Sequence, residues 1–167
     1  MQCACDERTS RNFKRVSVND VTYVNAPSLA QERGLTASLT TTGDSPAHRN
    51  MVHISGALSS GERISVAGTL MGIKRVEKIV EIDGLDVDVA FSDHLLFLRY
   101  TDRPGVVGAV GNALGGLGIN IAGMQVARNQ RGGEALMVLT VDSAIPSDVL
   151  AKVAKEISAS ARFVTLV

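Results

Sequence analysis

The chain has 167 residues, with 17 Lys+Arg balanced by 17 Asp+Glu, 45% hydrophobic residues and 20% charged ones. That length holds one ordinary domain or two small ones, and the even charge leaves no electrostatic footprint for nucleic acid or an anionic membrane. No apolar run reaches the roughly 18 residues of a membrane span, and the start, MQCACDERTSRNFKR, has no apolar segment of the kind a secretory signal needs, so a cytoplasmic protein is expected.

Residues 1–16 are polar and unpatterned and read as an unstructured tail. Its Cys3 and Cys5 form a lone C-x-C, which lacks the second ligand pair of a zinc site and is poorly spaced for a disulfide. Two free thiols and no metal are expected. In 21–34, Asn25 is a plausible N-cap, Pro27 falls in a first turn and Gly34 stops the helix. The Thr-rich LTASLTTT (35–42) reads as a strand and 43–50 as a loop. MVHISGAL (51–58) and ERISVAGTLM (62–71) flank Ser59-Ser60-Gly61 and predict a hairpin, and 75–84 and 86–91 predict another strand pair around Gly84.

The remainder is more regular. HLLFLRY (94–100) is a buried strand. In 104–118, Val106, Val107, Val110, Ala113, Leu114 and Leu117 recur at helical spacing on one face. A strand (119–130), a turn at 131–133, a returning strand (134–142), a helix (146–157) and a last strand (162–167) follow. The order from 94 is β-α-β-β-α-β, the ferredoxin-like split unit, whose sheet is expected to have one face under helices, one face open and exposed edges. The fold class is α+β: an incomplete α/β sheet domain over 17–92, then a βαββαβ domain over 93–167.

RPGVVGAVGNALGGLGIN (103–120) carries six glycines between Gly105 and Gly118, which raises the question of a phosphate loop. A P-loop requires Lys after its last Gly, and no Lys lies between Lys78 and Lys152. A dinucleotide fingerprint requires G-x-G-x-x-G directly after a strand; the one G-x-G, Gly116-Leu117-Gly118, ends a helix and is followed by Ile121 in the third place. The glycines are better read structurally: Gly105 in the first turn, Gly108 and Gly111 for close approach to the sheet, and Gly118 as the left-handed residue that ends the helix.

Chemistry is possible at the N-terminus of that helix. The amides of Arg103, Gly105 and Val106 can receive a carboxylate, Asp102 can meet an ammonium, and Asn120 can donate or accept. That combination suits a free amino acid, provided that the strand end, the helix start and the next strand start are neighbours. Asp102 acting only as a helix cap is the alternative.

The stretch 99–128, with D-R-P-G followed by G-I-N-I, resembles an ACT domain, a small-molecule-sensing βαββαβ module. The preceding VTYVNAPSLAQERG, SPAHRNMVHISGAL and VAGTLMG…EKIVEIDG resemble the intervening, allosteric-substrate-binding domain of long-form D-3-phosphoglycerate dehydrogenases. The resemblance implies the first step of serine biosynthesis, with L-serine bound between two ACT domains at Tyr100, Asp102 and Asn120, aided by the amides that follow Asp102. It also implies a basic anion site, for which His48, Arg49, Lys74, Arg75 and Lys78 are the candidates; solvated surface charge is the alternative for each. Related chains carry arginines near 85 and 90, where this one has Leu85 and Ala90, which weakens that site. The NAD-binding and catalytic signatures of the full-length enzymes are missing, and His48, His53 and His94 sit in no catalytic motif. The expectation is therefore a regulatory module without cofactor, a homodimer through its ACT domains, with a catalytic dehydrogenase domain as a possible partner. The competing expectations are a fragment of the whole NAD-dependent enzyme and a ligand-free dimerisation module.

Overall fold

The computed structural model describes residues 22, 24–36, 38–43, 48, 50–58 and 60–166. The tail, Cys3, Cys5 and Arg49 lie outside the described residues. The chain divides into two compact units, 1–44 and 45–167.

In the first unit, α1 (Ala26–Glu32) begins with Pro in its first turn, and the Asn25 side chain accepts the Thr22 N–H at 2.7 Å rather than capping the helix. Gly34, at φ +67, ends it as its sequence position suggests. The strand expected over 35–42 does not form: its described residues are irregular and Leu39 is 89% exposed. A Thr-rich segment has the propensity for a strand, but a strand also needs a neighbour to satisfy its backbone and bury a face.

The second unit opens with an antiparallel meander of β1 (Val52–Ala57), β2 (Arg63–Met71), β3 (Val76–Ile82) and β4 (Leu85–Ala90), paired in that order. Both predicted hairpins are present. In β4, Leu85, Val87 and Val89 are buried and alternate with exposed residues, the pattern of a strand with one face in a core.

Next come β5 (His94–Thr101), α2 (Val106–Gly115), β6 (Ile121–Arg128), β7 (Glu134–Val141), α3 (Ser147–Glu156) and β8 (Ser160–Thr165). Their strands pair antiparallel in the order β6-β7-β5-β8, the ferredoxin-like sheet. One face of β5 and β7, with Leu96, Leu98, Tyr100, Met137 and Leu139, packs under Val106, Val110 and Leu114 of α2 and Val149 and Val153 of α3. Of the apolar face predicted over 104–118, Val107 on α2 and Leu117 just beyond its end are 49% and 53% exposed, and only the inner stripe of Val106, Val110 and Leu114 is buried.

The opposite face was expected to be open, and here the structure corrects the sequence. Leu95, Leu136, Val138 and Ala127 are buried against Ile79, Ile82, Leu85, Val87 and Val89 of the meander, forming a second core between the sheets. An open face carrying residues as apolar as Leu95, Leu136 and Val138 would leave them in water, at about 1.5–3 kcal/mol for each large side chain.

The glycine readings divide. Gly118, at φ +71, ends α2 in a Schellman motif: the Ile119 N–H donates to the Leu114 carbonyl at 3.0 Å and the Gly118 N–H to Gly115 at 3.0 Å, while Ile119 and Leu114 share a core. Gly105 lies just before the helix as its N-cap, at φ +90, rather than inside the first turn. Gly108 and Gly111 do not serve close approach, because a Cβ at either would meet open space.

Candidate functional site

The loop from β5 to α2 is fixed from several sides. The Asp102 N–H donates to the Gly133 carbonyl at 2.8 Å, which ties the end of β5 to the β6–β7 turn. The Asp102 carboxylate does not cap α2. Its Oδ2 accepts Arg128 Nη1 at 2.6 Å and the Gly132 N–H at 3.1 Å. The hydrogen bond from the Gly132 amide, then that from Arg128, hold the Asp102 carboxyl below its ordinary pKa. Arg103 Nη2 donates to the Ile157 carbonyl at 3.0 Å, placing a cation at the C-terminal end of α3, where the helix dipole favours it. Among the described residues, the N–H groups of Arg103, Gly105 and Val106 donate to no backbone carbonyl outside the regular elements.

Arg128 is the neighbour of Asp102 that sequence reasoning missed. It comes to Asp102 through register: Arg128 pairs with Ala135 and Ala135 with Tyr100, so the three form a row across β6, β7 and β5. Tyr100 itself is buried in the helix-side core. Burial pushes its phenol up, the Asp102 carboxylate adds to that, and Arg128 opposes it.

Asn120 lies elsewhere. It precedes β6, and its Nδ2 donates to Asp142 Oδ2 at 2.7 Å, while its carbonyl accepts the Asp142 N–H at 3.2 Å. Arg128, beside Asp102, ends the same strand. Eight residues of extended chain at about 3.3 Å each put the two ends roughly 26 Å apart. Because α2 runs back along the sheet before β6 begins, Asn120 and Asp102 sit at opposite ends of the sheet.

The basic candidates are similarly dispersed. Lys74 and Arg75 are exposed at the β2–β3 turn, where the Arg75 N–H donates to Gly72 at 3.1 Å. Lys78, on β3, is paired to Asp88 at 2.5 Å. His48 is half-buried; two residues on, Asn50 accepts from the Thr69 hydroxyl and, at 3.2 Å, from the Leu70 N–H, near the end of β2 that leads into that turn. Among the described residues no group of three or more His, Cys, Asp or Glu could hold a metal ion, and no helix is long and apolar enough to cross a membrane.

Two family models match: the ACT domain over residues 94–158, and the D-3-phosphoglycerate dehydrogenase intervening domain over residues 11–83. The chain is similar to the D-3-phosphoglycerate dehydrogenase of Mycobacterium leprae, 38% identical over 89% of this chain and 28% of the relative. It is similar also to those of Methanocaldococcus jannaschii, 36% identical over 82% of this chain and 25% of the relative, and of Bacillus subtilis, 37% identical over 73% and 23%. The chain thus spans about 28% of the length of the first of these relatives.

Proposed function

Because the chain matches the C-terminal regulatory part of the D-3-phosphoglycerate dehydrogenases, an intervening domain followed by an ACT domain, we propose that it senses a small amino acid, L-serine, and performs no catalysis itself. In this reading residues 17–92 form a partial substrate- or anion-sensing domain and 93–167 the effector-binding domain. NAD and the oxidation of 3-phosphoglycerate belong to a catalytic partner domain, and the setting is cytoplasmic.

The observation that supports this reading best is the β5–α2 junction. The amides of Arg103, Gly105 and Val106 suit the carboxylate of an amino acid. Asp102 keeps Oδ1 for an ammonium while Arg128 and Gly132 hold Oδ2. Asn120, at the far end of its own subunit, joins such a site only across two copies. β6 is an edge strand, and pairing it antiparallel with its symmetry mate sets the residue-120 end of one copy beside the residue-128 end of the other. His48, Arg49, Lys74, Arg75 and Lys78 stay as the proposed anion-binding set, with Lys78 available only if it leaves Asp88.

Calorimetric titration of the purified chain with L-serine tests the proposal, with sedimentation to follow dimerisation. The expected result is saturable heat at millimolar serine or below, which Asn120→Ala abolishes or weakens severalfold. Absence of heat, or unchanged binding by the variant, would sink it. NAD-dependent turnover by this chain alone would refute the non-catalytic part.

A further inference from the structure

The second core joins the two sheets of residues 45–167 through β3 and β4. Towards β1 and β8, the edge strands of the two sheets, a cleft of about 570 Å³ lies between them. Ile54, Ile64 and Val66 of the meander form one wall, with Ile54 62% exposed; Phe97 and Val164 form the other, and Leu136 lies between the sheets. This volume falls within the range of small-molecule sites, and an apolar surface left wet inside a concavity favours an apolar occupant.

The charges narrow the occupant. Four charged residues line the cleft: Glu62, Asp83, Arg99 and Arg162. Arg99 is already engaged, by Asp83 and by Glu134 at 3.3 Å, and the other oxygen of Asp83 accepts the Ser65 N–H at 2.5 Å. Arg162 has no acidic partner among the described residues. It is cross-strand to Phe97, so its guanidinium stands on the same face as the apolar wall. Glu62 comes from the meander, just before β2 at the β1–β2 turn.

We propose that this cleft binds a small carboxylate with an apolar tail: the tail between Ile54, Val66 and Phe97, the carboxylate on the planar fork of Arg162, which matches it with two parallel hydrogen bonds. The site is separate from the β5–α2 junction and does not depend on serine binding there.

Titration of the full chain with hexanoate, octanoate, 1-octanol and octylamine, by calorimetry and by methyl NMR shifts of isoleucine and valine, tests it. Each methylene buried adds about fourfold in affinity, so octanoate, with two more, binds about fifteenfold more tightly than hexanoate. Arg162→Gln lowers octanoate affinity about fivefold, a modest loss because the guanidinium is exposed, and leaves 1-octanol unaffected. Val66→Glu places an acid on the tail and abolishes octanoate binding; the chain-length series on the unmodified protein does not depend on that variant folding. Absence of octanoate binding at millimolar concentration, no dependence on tail length, tighter binding of octylamine than of octanoate, or indifference to Arg162→Gln would each overturn the assignment.

Discussion

Replacing Gly108 and Gly111 with alanine is expected to stabilise the protein, although both lie in the middle of its most glycine-rich segment. Glycine in a helix interior costs about 0.5–1 kcal/mol relative to alanine, because it loses more backbone freedom on folding. The usual reason for keeping such a glycine is that a neighbour leaves no room for a side chain. Here a Cβ at either position meets nothing within 4 Å, so the entropy gain is not offset by a clash. With each alanine contributing about 0.5–1 kcal/mol of its own, the pair should add about 1–2 kcal/mol. For a chain of this length that is a rise in Tm of about 2–8 °C. Urea unfolding followed by far-UV circular dichroism gives the free energy, and a thermal scan of the same samples gives the Tm. A fall in stability of either single variant would refute the reasoning and mean that the outer side of α2 contacts something absent from the isolated subunit. Comparison at two protein concentrations would then show whether that contact is a second copy.

At Gly105 the same substitution acts in the opposite direction: its φ of +90 is one that a Cβ resists, so Gly105→Ala should cost about 1–2 kcal/mol in urea unfolding. Leu98→Ala removes a fully buried side chain from the face of β5 that packs under the helices and should cost about 2–5 kcal/mol by the same measurement. The Asp102 carboxyl has a folded pKa below its ordinary 3.8, so its contribution to stability is present above that ordinary value and is lost as the pH falls through the lower folded one. Asp102→Asn should therefore flatten this part of the acid limb, and the difference between variant and parent should shrink as the pH falls; parallel profiles from neutral pH downwards would contradict the Gly132 and Arg128 contacts.

The elements that could be read from the sequence are those whose signals are local. The two hairpins of the meander, the βαββαβ order and the Gly118 stop each follow from spacing within a dozen residues. What escaped depends on register or on a distant partner. Within HLLFLRY, residues 95–98 are a continuous apolar run, as befits a strand buried on both faces, but periodicity does not say that the meander supplies the second cover for Leu95. Arg128 reaches Asp102 only because β7 sets the row Tyr100–Ala135–Arg128 between them. The separation of Asn120 from Asp102 follows from the direction in which α2 returns, a property of topology rather than of either residue. The run 35–42 has strand propensity, but its described residues lie in no strand pairing.

The shared core between the sheets has a practical side. The ACT match begins at residue 94, and a gene fragment cut there would be the natural choice for isolating that domain. Such a fragment would leave Leu95, Leu136 and Val138 without the meander residues that cover them, presenting a flat greasy surface prone to self-association. Poor solubility of that fragment would reflect the position of the cut rather than any inability of the ACT sequence to fold, and an expression boundary upstream of β1 is the one that keeps the surface covered.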